Sequence, residues 1–205
     1  DNNGNASTCT ATITVNDNVA PVASCQAVTV ELDAAGAGSI TTGDVDAGSS
    51  DACGIASLSL DNTDFGCADV GANTVTLTVT DNNGNASTCT ATITVNDNVA
   101  PVATCQDVNV FLDAAGAGSI TPGDINNGST DACGIASLVL DDSDFDCNDV
   151  GTVSVTLTVT DNNGNASTCS ATVTVADLIA PVALCQDVDV YLDETGNGST
   201  TANDV

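Results

Sequence analysis

The chain repeats itself with a period of 80 residues, so it must fold into a small unit that tolerates its own copy as a neighbour. Residues 1–23, DNNGNASTCTATITVNDNVAPVA, return letter for letter at 81–103, and a third copy opens at Asp161. Only 17 positions differ between 1–80 and 81–160. Near-identical tandem units multiply a surface or a length, whereas an enzyme needs one asymmetric site. The period therefore points to an architectural role.

Composition narrows the partners. The 205 residues include no Lys, Arg or His, and the net charge is −28. Such a chain cannot form an internal salt bridge, and it repels nucleic acid and anionic membrane surfaces. No stretch approaches the roughly 18 apolar residues of a membrane span. Without His, acid–base catalysis loses its usual carrier. Strict apolar alternation argues against disorder, so the remaining way to hold the carboxylates together is to bind divalent cations. Only Glu31 and Glu194 are Glu among the 28 acidic residues. Short Asp side chains on fixed loops suit Ca2+, which takes six to eight oxygen ligands.

Pro21, Pro101 and Pro181 each follow a short polar hinge (NDNVAP, NDNVAP, ADLIAP). Units are expected at 18–97 and 98–177. They are flanked by 1–17, the C-terminal strand of a preceding repeat, and 178–205, the N-terminal part of a following one. The chain thus resembles a stretch cut from a longer array. Within a unit the period is two: Val75, Leu77 and Val79 share one face, and after the DNNGN turn Cys89, Ala91, Ile93 and Val95 share another. Val28, Val30 and Leu32 form an earlier strand, and Ala56, Leu58 and Leu60 another. No segment shows a helical period. The expected fold is all-β, a small β-sandwich per repeat.

Phe65 is the only aromatic residue in 18–97, and so small a core calls for covalent staples. Ten Cys at repeating spacings fit disulfides formed in an oxidising, extracellular setting. Cys25 lies near the start of the first strand and Cys89 near the start of the last, which are expected to run the same way. That pairs Cys25 with Cys89 and Cys105 with Cys169. The shorter spacing pairs Cys53 with Cys67 and Cys133 with Cys147, leaving the partners of Cys9 and Cys185 outside the chain. The chain-entropy account assigns the short and long loops roughly 3 and 4 kcal/mol.

Strand directions gather the acids at the junctions. Asp44, Asp46, Asp51, Asp81, Asn83 and Asn85 are expected beside the hinge Asn16, Asp17, Asn18. Asp124, Asn126, Asp131, Asp161, Asn163 and Asn165 are expected beside Asn96, Asp97, Asn98. The third hinge offers only Asp177. DNNGN alone is also good turn chemistry, so both readings of that loop stand. VNDN followed by AP resembles the cadherin inter-domain linker, and the D-x-D of Asp44 and Asp46 resembles its partner motif. Val19 and Val99 depart from that pattern by one added residue.

The whole unit resembles the hyalin-repeat type of immunoglobulin-like domain in large bacterial surface proteins. The residues that carry the likeness are APVASCQAVTVELD, DACGIASLSLD and VTLTVTDNNGNASTCTATITV. The resemblance implies tandem immunoglobulin-like sandwiches in a secreted, cell-surface bacterial protein with a role in adhesion or surface structure. The expected function is a calcium-rigidified, disulfide-stabilised stalk or fibre. Its partners are neighbouring repeats of the same chain, with lateral self-association into fibres. The alternative is an adhesin-type module for a carbohydrate or protein ligand, which the scarcity of aromatic anchors disfavours. Sequons at Asn5, Asn85, Asn165, Asn127 and Asn197, a flat Thr lattice, and an extra ion site at 141–149 carry less weight. Because the chain lacks Lys and Arg, trypsin should leave it intact even in denaturant, and a digest on a gel checks this.

Overall fold

The computed structural model describes residues 1–202, so the last three residues of the expected unit 178–205 lie outside the described residues. Two sandwich units of the same plan follow one another. The first comprises β1 (Val28–Glu31), β2 (Ala37–Ser39), a single helical turn α1 (Thr42–Val45), β3 (Ile55–Leu60), β4 (Asp64–Gly66), β5 (Gly71–Asp81) and β6 (Ala86–Asn96). The second repeats it as β7 (Val108–Phe111), β8 (Gly118–Ser119), α2 (Pro122–Ile125), β9 (Ile135–Leu140), β10 (Asp144–Phe145), β11 (Gly151–Asp161) and β12 (Ala166–Ala176).

Each unit has a four-stranded sheet, β1-β6-β5-β3 or β7-β12-β11-β9, faced by a two-stranded sheet, β2-β4 or β8-β10. The long hairpin β5–β6 forms because its β-branched residues fit a half-buried pleat and because DNNGN closes it. Gly84 at φ +93° supplies the turn conformation that a side chain would strain. As expected, the first and last strands run parallel, with Val28 opposite Ile93 and Val30 opposite Val95.

The period-two faces become the core. Val75, Leu77, Val79, Ala91, Ile93 and Val95 are buried with Val30, Leu32, Ile40, Val45 and Phe65. One strand differs from expectation. Ala56 is exposed and Leu58 and Leu60 are only half-buried, because a register shift between Ile55 and Ser57 breaks the alternation. Residues 1–17, identical to 81–97, form no strand, and their Ile13 and Val15 are exposed. The same letters become β6 only where β1 and β5 flank them. Pattern alone does not make a strand.

Three disulfides are present. Cys25–Cys89 and Cys105–Cys169 join the segment leading into the first strand of each unit to its last strand, with Cα atoms 5.8 and 5.7 Å apart. The expected short pairs Cys53–Cys67 and Cys133–Cys147 do not form. Cys67 is bonded instead to Cys133 of the next unit, Cα to Cα 5.1 Å, and Cys9, Cys53, Cys147 and Cys185 are free and exposed.

The reason is strand direction. β3 starts opposite Asp81 at the end of the sheet where the DNNGN turn lies, and it runs away from that turn. β4 continues the same way in the other layer, since it is antiparallel to β2 and reaches Gly66 opposite Ala37. Cys53 and Cys67 therefore stand at opposite ends of the sandwich. The six residues of β3 alone span roughly 20 Å, far beyond the roughly 7 Å that a disulfide tolerates between Cα atoms.

Leu77 is fully buried, and Leu77→Ala is expected to cost the first unit about 3 kcal/mol, mainly as a cavity. Urea denaturation with the disulfides intact measures it.

Candidate metal centre and inter-unit junction

With no cationic side chain in the sequence, the carboxylates take their hydrogen bonds from neutral donors, and those donors decide which carboxylates remain available. Asp81 is buried and takes hydrogen bonds at Oδ1 from the backbone N–H groups of Asn83 (2.9 Å) and Asn85 (2.8 Å), and at Oδ2 from the Asn85 amide (2.8 Å). Asp161 does the same with Asn163 and Asn165. The Asn85 amide also reaches back to the hinge, donating to the carbonyls of Asp17 and Val19, and Asn165 donates to the carbonyl of Asp97. Asp81, Asn83 and Asn85 thus lie beside the hinge, as expected, but as a turn that grips its backbone.

Asp44 and Asp46 are likewise engaged in their own loop. Asp44 takes the N–H and hydroxyl of Thr41 at the start of α1, a capping arrangement repeated by Asp124 and Thr121. Asp46 accepts from the N–H of Ser49. Its counterpart in the second unit is Asn126, which accepts the same bond from Ser129. A neutral amide serves equally there, so the position works as a turn acceptor.

Two acidic pairs are brought together by the fold. Asp17 and Asp51, with the Cys53 sulfur, place ligand atoms within 4.8 Å of one another, and so do Asp97 and Asp131 with the Cys133 sulfur. Each carboxylate spends one oxygen on a local N–H: Val19 to Asp17, Cys53 to Asp51, Val99 to Asp97 and Cys133 to Asp131. The other oxygen of Asp97, Oδ2, is buried and has no partner. An unsatisfied buried acceptor costs about 1–3 kcal/mol, and more when charged.

That orphaned oxygen beside a second carboxylate fits a divalent cation. Because Cys133 is held in a disulfide, the second pair presents only oxygen, which suits a hard ion such as Ca2+ or Mg2+. Asp97 and Asp131 would be its protein ligands, with water completing the shell. At the first pair, a hydrogen bond to Asp17 and that residue's charge push the free Cys53 thiol pKa up. Asp177 accepts from the N–H of Ile179 and has no such acidic cluster among the described residues.

Of the hinge amides, Asn96 and Asn98 both donate to Glu31, at 2.9 and 2.5 Å. Asn16 and Asn18 are exposed. Glu31 escaped the sequence reading, although its strand register places it opposite Asn96. The signal was there in the second unit, where Phe111 replaces Glu31 just as Ala176 and Leu178 replace Asn96 and Asn98.

No protein-family model and no curated protein matches this chain. Among solved structures it is similar to Drosophila N-cadherin EC1-4, at 12% identity over 77% of this chain and 50% of that one, TM-score 0.43. It is also similar to human protocadherin-24 EC1-2, at 12% identity over 78% and 100%, TM-score 0.41. A third similarity is to the fibronectin(III)-like modules of Clostridium thermocellum CbhA, at 14% identity over 80% and 97%, TM-score 0.27.

The turn carboxylates also set the response to acid. For Asp81 and Asp161 burial is the largest single influence and pushes the pKa up, but the combined hydrogen bonds hold it below the ordinary 3.8. Asp44 and Asp124 are lowered by Thr41 and Thr121, and Asp61 and Asp141 by the N–H groups of Thr76 and Thr156. A carboxyl whose folded pKa is depressed adds stability above its unfolded value and loses it as pH falls through the folded value. Stability in metal-free buffer should therefore fall as pH drops below 3.8. Asp81→Asn should weaken that fall, as read from urea midpoints across the acid range.

Proposed function

We propose that the chain is part of an extracellular structural protein. In this reading, hyalin-repeat-like sandwiches with cadherin-like linkers are joined into a stiff stalk or fibre by disulfides and calcium. The observation that carries this reading is the Cys67–Cys133 bond, which ties one unit to the next across the hinge. A hinge crossed by one polypeptide strand bends freely. A second covalent tie, with Asn165 holding the hinge carbonyl of Asp97 and Ser167 holding that of Pro101, removes most of that freedom. The three disulfides support this reading, since such bonds form and persist in oxidising compartments.

Calcium is the second lock in this proposal. Bound between Asp97 of the hinge and Asp131 of the following unit, it would neutralise two carboxylates and satisfy the orphaned oxygen. Extracellular calcium modules bind with constants of about 0.1–1 mM. At about 10 mM calcium the expected stabilisation is about 1–3 kcal/mol.

Calorimetric melting in chelator and in calcium, with small-angle scattering of the same samples, tests the reading. Calcium should raise the melting temperature of the wild type and leave Asp97→Asn/Asp131→Asn unmoved. Cys67→Ser/Cys133→Ser should broaden the distribution of inter-unit angles. An unchanged melting temperature in calcium would sink the ionic lock. Peptide mapping that finds Cys67 unpaired with Cys133 would sink the covalent one.

A further inference from the structure

A hinge carboxylate, a loop carboxylate and a cysteine sulfur meet twice in this fold, in two oxidation states. At Asp97, Asp131 and Cys133 the sulfur is bonded to Cys67. At Asp17, Asp51 and Cys53 it is a thiol, hydrogen-bonded to the Asp17 carboxylate. In both triads the ligand atoms lie within 4.8 Å of one another. One local bond keeps loop carboxylate and sulfur together: the N–H of Cys53 donates to Asp51 and that of Cys133 to Asp131, each at 2.7 Å. That turn forms with the disulfide and without it, so a reduced Cys133 stays beside its two carboxylates.

The thiol form is a different kind of metal site from the disulfide form. Asp97 is only 7% exposed and its Oδ2 has no partner, so one ligand is already desolvated and unsatisfied in either form. With the disulfide closed, Asp97 and Asp131 offer oxygen alone, which selects a hard ion. A free Cys133 adds sulfur, and a thiolate with two carboxylates suits Zn2+, which takes four ligands at tetrahedral corners. Water fills the fourth corner. Such an ion holds its ligand atoms roughly 3–4 Å apart, a small closure from the 4.8 Å within which they already lie. Its double charge offsets the negative charges that two carboxylates and a thiolate would otherwise bring together.

We propose that Cys133, before its bond to Cys67 closes, joins Asp97 and Asp131 in a Zn2+ site, and that zinc and the disulfide exclude each other there. The redox state of one sulfur then selects the ion: zinc in the thiol form, calcium in the disulfide form. Zinc binding releases the Cys133 thiol proton to solvent. Closing the bond afterwards removes two electrons from the two sulfurs. A small-molecule disulfide accepts them and, with the Cys67 proton and one from solvent, becomes two thiols. Zn2+ departs as the same dication, neither oxidised nor reduced. A junction that holds zinc therefore waits for its covalent tie, and one that holds calcium does not.

This inference rests on the Asp97–Asp131 ion site proposed above, and the test separates the two. The whole chain is used with Cys9, Cys53, Cys147 and Cys185 each changed to Ser. Adding Cys67→Ser leaves Cys133 as the single thiol, and adding Cys133→Ser instead leaves Cys67. Each protein is titrated with Co2+, a spectroscopic stand-in for zinc, while the thiolate-to-metal absorption band is followed. The Cys133 protein should show the band at one ion per chain and lose it to Zn2+ but not to equal Ca2+. Asp97→Asn should weaken the affinity at least roughly tenfold, and Asp131→Asn serves where that variant does not fold. Zn2+ should slow alkylation of Cys133 by iodoacetamide roughly tenfold, since the metal occupies the nucleophilic sulfur, and Ca2+ should not. The Cys67 protein, and the parent with Cys67–Cys133 closed, should show no band. A band in either, or one unmoved by loss of a carboxylate, would overturn the proposal. If the Cys133 protein gives no band while calcium raises the melting temperature of the disulfide-bonded wild type, the zinc inference falls and the calcium reading stands. If calcium fails as well, both fall.

Discussion

A carboxylate normally has three ways to be content in a folded protein: water, a cationic side chain, or a set of N–H and O–H donors. This chain has given up the second, and much of its architecture follows. Asp33, Asp81 and Asp113, with their counterparts, fold short turns around themselves by collecting two backbone N–H groups on one oxygen. Asp44 and Asp124 fix the single helical turn that lays Val45 and Ile125 into the core. Asp serves this purpose better than Glu because its short side chain reaches its own backbone two to four residues on. The acidity is therefore largely scaffold, and only where two hinge and loop carboxylates meet does it leave an oxygen with nothing to bind.

Much of the fold could be seen in the letters. Alternation marked β5 and β6, the DNNGN turn marked their hairpin, and the shared direction of the first and last strands placed Cys25 beside Cys89. What escaped was the path between Cys53 and Cys67. A short spacing invites the assumption that the chain turns back, but β3 and β4 descend one after the other in different layers. Nothing local in IASLSL encodes that. Choosing between Cys53 and Cys133 as the partner of Cys67 needs the directions of all the strands together, and identical repeats make both candidates look alike.

The acidic sites show the same division. The fold brings Asp17 to Asp51 and Asp97 to Asp131, yet proximity in the sequence pattern does not tell which carboxylates are already engaged by Thr41, Ser49 or Asn85. Glu31 was overlooked because it stands on a strand rather than in a loop, and its meaning depends on the register that sets it opposite Asn96. The paired changes to Phe111, Ala176 and Leu178 give the far end of the second unit an apolar surface where the first has a hydrogen-bonded one. Junctions built on one plan thus differ in chemistry from place to place.

The placement of Cys25–Cys89 has a mechanical consequence. A pull on the two hinges of a unit enters just before β1 and leaves just after β6, and this bond joins the segment leading into β1 directly to β6. Tension then travels through sulfur and bypasses the chain between two cysteines 64 positions apart, a slack of roughly 200 Å if drawn straight. The hydrophobic layers stand beside the line of force. An array of such units would resist stretching as a chain of short covalent links, and its modest cores would have only to keep their shape.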